Sequence, residues 1–348
     1  MSEPRVSVII PNYNHERFLP LRIRSVLEQT IDDFEVIILD DHSPDGSRSI
    51  IEDFARQDSR IRTHFNEKNS GSTFAQWNKG VELARAPIVW IAESDDHCSP
   101  NFLEVLLPGI EEDPKVGIVF CQSIIIDEDG EVINSFQENY DHIFRSRAQR
   151  WHHDFKVHGK DECREYMVYS NTIPNASGAL MRKAIFQQVG GAPEDMKLNG
   201  DWFFYVKMLM ESDLRYVSKP LNFFRFHTST QREKAKANYR VYDEIIRLHD
   251  YMKDHASVDE YHWKQAKASV ATWWAGSLFF QRRDHDFWVH NWRLFKHFRK
   301  FKSGLGWRVL WTAIKNKIRW VLVKVGLYRP VKDQLHRWFP KHFFKYEY

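Results

Sequence analysis

The chain is predicted to be an α/β protein, a doubly wound sheet followed by an α-helical C-terminal region. Three observations carry that expectation. Short β-branched runs alternate with helical periodicities through residues 5–92. The last of those runs, Ile88-Val89-Trp90-Ile91-Ala92, has the near-continuous apolar character of a strand covered on both faces. It stops at Glu93-Ser94-Asp95-Asp96, three carboxylates within four positions. From about Arg232 the apolar residues recur at helical spacing.

Taken in order, Arg5-Val6-Ser7-Val8-Ile9-Ile10 predicts the first strand, ended by Pro11-Asn12. Phe18, Leu19, Ile23, Val26 and Leu27 then share one helical face, which fades at Gln29-Thr30. Residues 34–39 predict a second strand, followed at once by Asp40-Asp41-His42-Ser43. Ser43-Pro44-Asp45-Gly46 has turn chemistry, and the helix from Ser47 buries Ile50, Ile51 and Phe54. Residues 60–65 predict a third strand and 74–84 a third helix before the strand at 88–92. This β-α-β-α-β-α-β order implies right-handed crossovers. Residues 116–121 predict another strand, and Ile124-Ile125-Ile126 with Val132-Ile133 a hairpin around Asp129-Gly130. Residues 136–170 have weak periodicity and are expected to form an irregular excursion over the site.

Length and composition narrow the class. At 348 residues the chain accommodates two domains, and 28% charged with 43% hydrophobic residues is ordinary for a globular protein. No apolar run reaches the roughly 18 residues of a membrane span, and Met1-Ser2-Glu3-Pro4-Arg5 does not resemble a signal peptide. Cys98, Cys121 and Cys163 lack CxxC spacing, so free thiols in a reducing, cytoplasmic compartment are expected. The net charge of +3 hides a division: residues 287–348 carry 15 Lys and Arg against Asp333 and Glu347, leaving the remainder at −10. Such a basic tail implies an anionic partner.

The acidic turn needs positive charge, because clustered carboxylates at a buried strand end repel one another and lose hydration. A divalent Mg²⁺ or Mn²⁺ shared with substrate phosphates is one solution. A solvated turn whose acids cap a helix near Ser99-Pro100-Asn101 is the other. Neither Gly-x-Gly-x-x-Gly nor Gly-Lys-Ser/Thr follows the first strand, which argues against a dinucleotide fold and a P-loop. Pro11-Asn12-Tyr13-Asn14 stands there instead, an aromatic between amides suited to stacking on a flat base, with Asp41 able to accept from a ring N–H. Asp201 starts a helix after Asn199-Gly200, where an N-capping role competes with a chemical one. His152, His153 and His158 lack metal-ligand spacing and read as surface histidines.

These residues resemble glycosyltransferase family 2. The resemblance rests on Val6-Ser7-Val8-Ile9-Ile10-Pro11-Asn12-Tyr13-Asn14, Ser25-Val26-Leu27-Glu28-Gln29-Thr30, the run 34–43 and Glu93-Ser94-Asp95-Asp96, and it covers residues 5 to 228. It implies a GT-A fold, with a mixed sheet and a Rossmann-like nucleotide-sugar domain over residues 1–228, and an inverting transfer from a nucleotide-diphosphate sugar assisted by Mn²⁺ or Mg²⁺; a non-catalytic nucleotide-sugar-binding module and a sugar nucleotidyltransferase are the alternative readings. By position, it implies that Pro11, Tyr13, Asn14 and Asp41 hold the nucleotide, Asp95 the ribose side, and Arg225 the diphosphate. Asp96 and His227 become the metal ligands, although a packed strand-end histidine is the competing account of His227. Asp201 becomes the general base. Apart from the resemblance, residues 171–179 offer small and amide side chains before a strand, so Asn175 and Ser177, with Trp202, are expected at the acceptor. Two positions depart from the pattern. Glu93 opens a motif that many relatives begin with Asp, and Gly71-Ser72-Thr73-Phe74 lacks a base-contacting Arg found in some.

Residues 229–348 form the second expected domain, helical, basic and Trp-rich. Val241, Ile245, Leu248 and Tyr251/Met252 form one stripe, and Trp263, Ala266, Val270, Trp273/Trp274 and Ser277/Leu278 another. Trp307, Leu310, Trp311, Ile314, Ile318 and Val321 form a third, with Arg308, Lys315, Lys317, Arg319 and Lys324 around the other side. Basic helices with Trp on the apolar face suit the headgroup layer of an anionic membrane. Packing on the catalytic domain and a single-strand nucleic-acid groove are the other readings. Nucleic acid is not the expected partner. A peripheral position on the inner face of the cytoplasmic membrane, with a lipid-linked saccharide acceptor in bacterial surface-polysaccharide synthesis, follows from family and tail together.

Overall fold

The structure, a computed structural model, describes residues 3–227, 239–278, 286–307 and 309–311. Strands β1 (Val6–Asn12), β2 (Phe34–Asp40), β3 (Ile61–Phe65) and β4 (Ile88–Ile91) alternate with helices α1 (Leu19–Leu27), α2 (Ser47–Gln57) and α3 (Thr73–Leu83). They are parallel and lie in the order β3-β2-β1-β4. The chain thus winds outward from β1 on one side and then returns to its other side. That reversal leaves a crevice at the carboxyl ends of β1 and β4, where open α/β sheets bind ligands. Every residue of β1, β2 and β4 is buried, as expected of parallel strands covered on both faces.

Beyond β4 the sheet becomes mixed. Next come β5 (His97–Cys98), α4 (Phe102–Leu106), α5 (Pro108–Glu111), β6 (Val116–Ile126), β7 (Val132–Ser135) and α6 (Phe136–Phe144). They are followed by β8 (Phe155–Val157), α7 (Gly159–Glu162), β9 (Ala179–Arg182), α8 (Lys183–Gln188), α9 (Gly200–Glu211) and β10 (Asp213–Arg225). The order continues β4-β9-β6-β10-β5, with β9 antiparallel to both neighbours. The hairpin forms, pairing Ile124 with Ser135. Its first arm is continuous with the strand at 116–121, so β6 runs unbroken to Ile126.

Residues 136–170 depart from the expected irregular loop. They form α6, a 3-10 turn (Arg145–His152), β8, α7 and a π turn (Cys163–Met167). Only α6 is long enough to carry a helical period, in Phe136, Tyr140, Ile143 and Phe144; the other pieces are too short or are not α-helical. Ring packing holds them: Trp151 stacks on Tyr140 at 4.3 Å and Phe144 at 5.0 Å, and the Arg150 guanidinium lies 4.0 Å from the Tyr166 ring.

Two compact units emerge. The first takes the chain to Ala235 together with Asp243–Trp263; the second takes Lys236–Tyr242 and Lys264–Tyr348. The C-terminal helices are α10 (Arg240–His255), α11 (Glu260–Ser277) and α12 (Phe287–Phe298). Val241, Ile245, Leu248 and Met252 are buried, as are Ala266, Val270 and Trp274. In the second unit α12 packs on α11, with Trp274 Nε1 donating to Asn291 Oδ1 at 2.8 Å. The remainder of the third stripe, Ile314, Ile318 and Val321, and the bases Arg308, Lys315, Lys317, Arg319 and Lys324 lie outside the described residues. Among the described residues no helix is long and apolar enough to cross a membrane.

Candidate active site

The turn after β1 is braided to the turn after β2. Asp40 is buried and accepts from Asn12 Nδ2 at 2.9 Å, Ser43 N at 3.0 Å and Ser43 Oγ at 2.6 Å. Ser43 Oγ in turn accepts the Asn14 N–H at 3.0 Å, holding Asn14 at φ 59°. The braid fixes the connection so that Pro11 is buried and Tyr13 stands about half exposed over the crevice. Asp41 is buried and accepts from Asn66 Nδ2, Ser70 N, Ser70 Oγ and Gln76 Nε2 at 2.6–3.1 Å. It therefore braces the 66–72 loop at the same crevice.

The acidic turn is neutralised asymmetrically. Asp96 points inward: its Oδ1 accepts the Arg225 N–H at 2.8 Å, and its Oδ2 lies 4.0 Å from Arg22 Nη2. Burial and the neighbouring Asp95 charge push the Asp96 carboxyl up to about 7. Asp95 points toward the crevice, with Oδ2 3.0 Å from His227 Nε2. Burial works against its charge, but the His227 hydrogen bond and the His15 and His227 charges hold Asp95 below the usual carboxylate range. Glu93 accepts from Trp77 Nε1 at 2.8 Å, and burial with the Asp95 charge pushes it up to about 8.

Arg22 is fully buried beneath this turn. Its Nε donates to Glu93 O at 2.9 Å, and its two Nη atoms have no hydrogen-bond partner. Nearby, His15 Nδ1 is 2.8 Å from Ser94 Oγ, and the His227 ring packs 5.0 Å from Phe18.

Four residues expected to meet substrate are buried instead. Arg225 is buried: Nε donates to Asp95 O at 2.8 Å and Nη1 to Asp127 O at 2.7 Å, so it clamps the acidic turn to the β6–β7 hairpin. Ser177 is fully buried under the turn, its Oγ accepting the Glu93 N–H at 3.1 Å and its carbonyl the Trp90 Nε1–H at 2.8 Å. Asn175 is also buried, donating to Ser123 Oγ at 3.2 Å and accepting from Gly178 N and Asn222 Nδ2. These small polar groups support the turn from inside the sheet. Trp202, expected at the acceptor, is buried beside His249 with ring centroids 6.4 Å apart.

Asp201 lies in the first turn of α9, where the helix dipole favours a carboxylate, and Asn171 Nδ2 donates to its Oδ2 at 3.3 Å. A chain of close contacts sets this turn beside β4. A Cβ on Gly200 would come within 2.3 Å of Phe74 Cε2, so only glycine permits the approach. Phe74 meets Trp77 edge-on at 5.1 Å, and Trp77 binds Glu93. The buried Tyr205 hydroxyl, raised well above its ordinary value chiefly by burial, feels the charges of both Asp201 and Glu93. The loop before α9 is held by Glu244 of α10, whose carboxylate accepts the backbone N–H groups of Lys197, Leu198 and Asn199 at 2.8, 3.1 and 2.8 Å. Lys197 Nζ reaches on to Gly71 O at 3.0 Å, in the loop that Asp41 braces.

Among the described residues no three His, Cys, Asp or Glu side chains converge as a protein-only metal cage. A cation that completes its shell with diphosphate oxygens needs only one or two protein ligands. The Asp95 carboxylate with the His227 imidazole is such a donor pair. Asp96 is less available, since its oxygens are turned to Arg225 and Arg22.

Comparison with known proteins gives a consistent picture. The model of the family "Glycosyl transferase family 2" matches residues 7–190. The putative teichuronic acid biosynthesis glycosyltransferase TuaG of Bacillus subtilis is 34% identical over 258 residues, covering 72% of this chain and 92% of TuaG. The crystal structure of S. aureus TarS 1–349 in complex with UDP-GlcNAc superposes with a TM-score of 0.64 at 17% identity, over 99% of this chain and 94% of that one. The mannosyltransferase PcManGT of Pyrobaculum calidifontis, in complex with GDP-Man and Mn²⁺, superposes with a TM-score of 0.53 at 17% identity, over 91% and 88%. The last two likenesses concern the fold.

Proposed function

Because the chain belongs to glycosyl transferase family 2 and is a glycosyltransferase, we propose that it moves a sugar from a nucleotide-diphosphate sugar to a hydroxyl of a saccharide acceptor with inversion at the anomeric carbon. The observation that supports this reading is the contact chain from Gly200 through Phe74 and Trp77 to Glu93, which links the Asp201 end of α9 to the acidic turn that carries the Asp95–His227 pair.

In this mechanism Tyr13 stacks on the base, with Pro11, Asn14 and Asp41 shaping its pocket. Asp95 and His227 would hold Mn²⁺ or Mg²⁺. When bound, the cation supplies positive charge against the departing diphosphate. Arg225, Asn175, Ser177 and Asp96 keep the acidic turn in register. Asp201 takes the proton of the acceptor hydroxyl as its oxygen attacks the anomeric carbon from the face opposite the diphosphate. The old C–O bond breaks, and its electron pair leaves with the nucleoside diphosphate. Trp202 supports this helix end from within.

The acceptor is a lipid-linked saccharide of bacterial surface-polysaccharide assembly, met at the cytoplasmic face of the membrane. The name of TuaG and the basic, Trp-rich C-terminal region support that choice. Release of nucleoside diphosphate from UDP-, GDP- and dTDP-sugars, with Mn²⁺ or Mg²⁺ and with or without lipid-linked acceptor, tests the reading. Acceptor-dependent release that stops on chelation supports it; release indifferent to acceptor and cation contradicts it.

A further inference from the structure

The second compact unit presents a surface that the transfer chemistry does not use. α12 buries Phe287, Asn291, Leu294 and Phe298, which at 3.6 residues per turn fall within about 60° of one another. On the opposite side Trp288, Val289 and Trp292 are 68%, 76% and 58% exposed. The same geometry sets Lys296 and Arg299 among them and Arg293 and Lys300 at the border. Lys296 Nζ lies 5.4 Å from the centroid of the Trp292 ring. No Asp or Glu occurs anywhere in residues 287–311. Arg299 also lines an adjoining groove of about 400 Å³, together with Lys302, Leu305, Trp307 and Leu310.

Three tests of chemistry narrow the occupant. A core-facing surface would not leave two tryptophans more than half exposed, and an ordinary solvated face mixes acids with its bases. A second copy docked on this face would set bases against bases. Indole rings interleaved with cations match the boundary between phosphate headgroups and acyl chains, where both halves of the pattern are satisfied.

We infer that the outer face of α12 and the groove at Arg299 form a docking site for an anionic phospholipid surface, with Trp288 and Trp292 entering the headgroup layer. Lys296, Arg299 and Lys302 face its phosphates. The purpose of this site rests on the lipid-linked acceptor proposed above; its test does not. The full chain is floated with phosphatidylcholine vesicles and with vesicles containing phosphatidylglycerol, as wild type, as Trp288→Ser/Trp292→Ser and as Lys296→Glu/Arg299→Glu. The expected result is flotation of wild type only with phosphatidylglycerol, lost on raising salt, and weakened about tenfold or more in each double variant. Both variants keep wild-type circular dichroism and nucleoside-diphosphate release with a water-soluble acceptor. Wild type that stays at the bottom, floats equally on neutral vesicles, or is unaffected by the substitutions overturns the site. Binding to a single-stranded oligonucleotide, or a dimer that the Trp pair abolishes, without vesicle binding assigns the face to another partner and overturns it as well. Flotation as expected alongside no turnover of any donor leaves the docking site standing and removes the proposed reaction.

Discussion

Glu244 Oε2 accepts the Asn199 N–H at 2.8 Å, two residues before Asp201, so a side chain of α10 holds the loop that delivers the proposed base. The same carboxylate takes the N–H groups of Lys197 and Leu198. Replacing it by Ala frees three backbone donors at once, and the Asn199 Nδ2 donor with them. Because small displacements of a reacting group are costly, Glu244→Ala is expected to lower kcat about 10- to 100-fold while donor KM changes little. Steady-state kinetics at saturating acceptor measure both, and Glu244→Asp should recover part of the loss. A rise in donor KM with kcat unchanged would contradict the positioning role.

Arg22 is the buried counter-charge of the acidic turn, 4.0 Å from Asp96 and bonded to Glu93 O. Arg22→Met leaves that turn uncompensated and is expected to cost about 3–5 kcal/mol in urea unfolding. Adding Asp96→Asn removes the orphaned charge and should restore part of the stability. Two losses that simply add would show that Arg22 and Asp96 are not coupled.

Asp95 and Asp96 are distinguished by their direction. Asp95→Asn or His227→Ala should raise the Mn²⁺ concentration for half-maximal activity at least about tenfold, and Asp96→Asn should raise it less. A metal titration of nucleoside-diphosphate release decides the order. The reverse order would return the ligand role to Asp96.

Glu35 supplies a pH dependence of stability away from the site. Burial works against its charge, but Ser7 Oγ, the Arg85 N–H, Arg62 and Arg85 together hold its carboxyl below its ordinary 4.5. A depressed folded pKa means that this contribution is fully present above the unfolded value, near 4.5, and is lost as pH falls through the folded value. Urea midpoints of wild type should therefore fall more steeply below that pH than those of Glu35→Gln. Parallel curves for the two proteins would remove Glu35 from the account.

Much of this was legible because burial on two faces writes long β-branched runs. The strands containing Val8, Ile37 and Val89 announced themselves, as did the acids that end β4. Arg22 left a readable sign too: it falls on the face shared by Leu19, Ile23 and Val26, where a charge must be buried. Ser177 and Asn175 were less legible, since a small polar residue near a strand reads the same whether it meets a sugar or bonds Glu93 N and Ser123 Oγ. Glu244 left no local sign, because its partners are 45 to 47 residues away. The stacking of Trp151 on Tyr140 likewise orders residues 136–170 through contacts that no helical or strand period records.

The most direct test is Asp201→Asn, with donor affinity and turnover measured side by side. Calorimetric binding of the nucleotide sugar with Mn²⁺ should stay near wild type, because Asp95, His227 and Tyr13 are intact. Acceptor-dependent release of nucleoside diphosphate should fall about 10²- to 10⁴-fold. Turnover of the Asp201→Asn protein at the wild-type rate would contradict the assignment of Asp201 as the base.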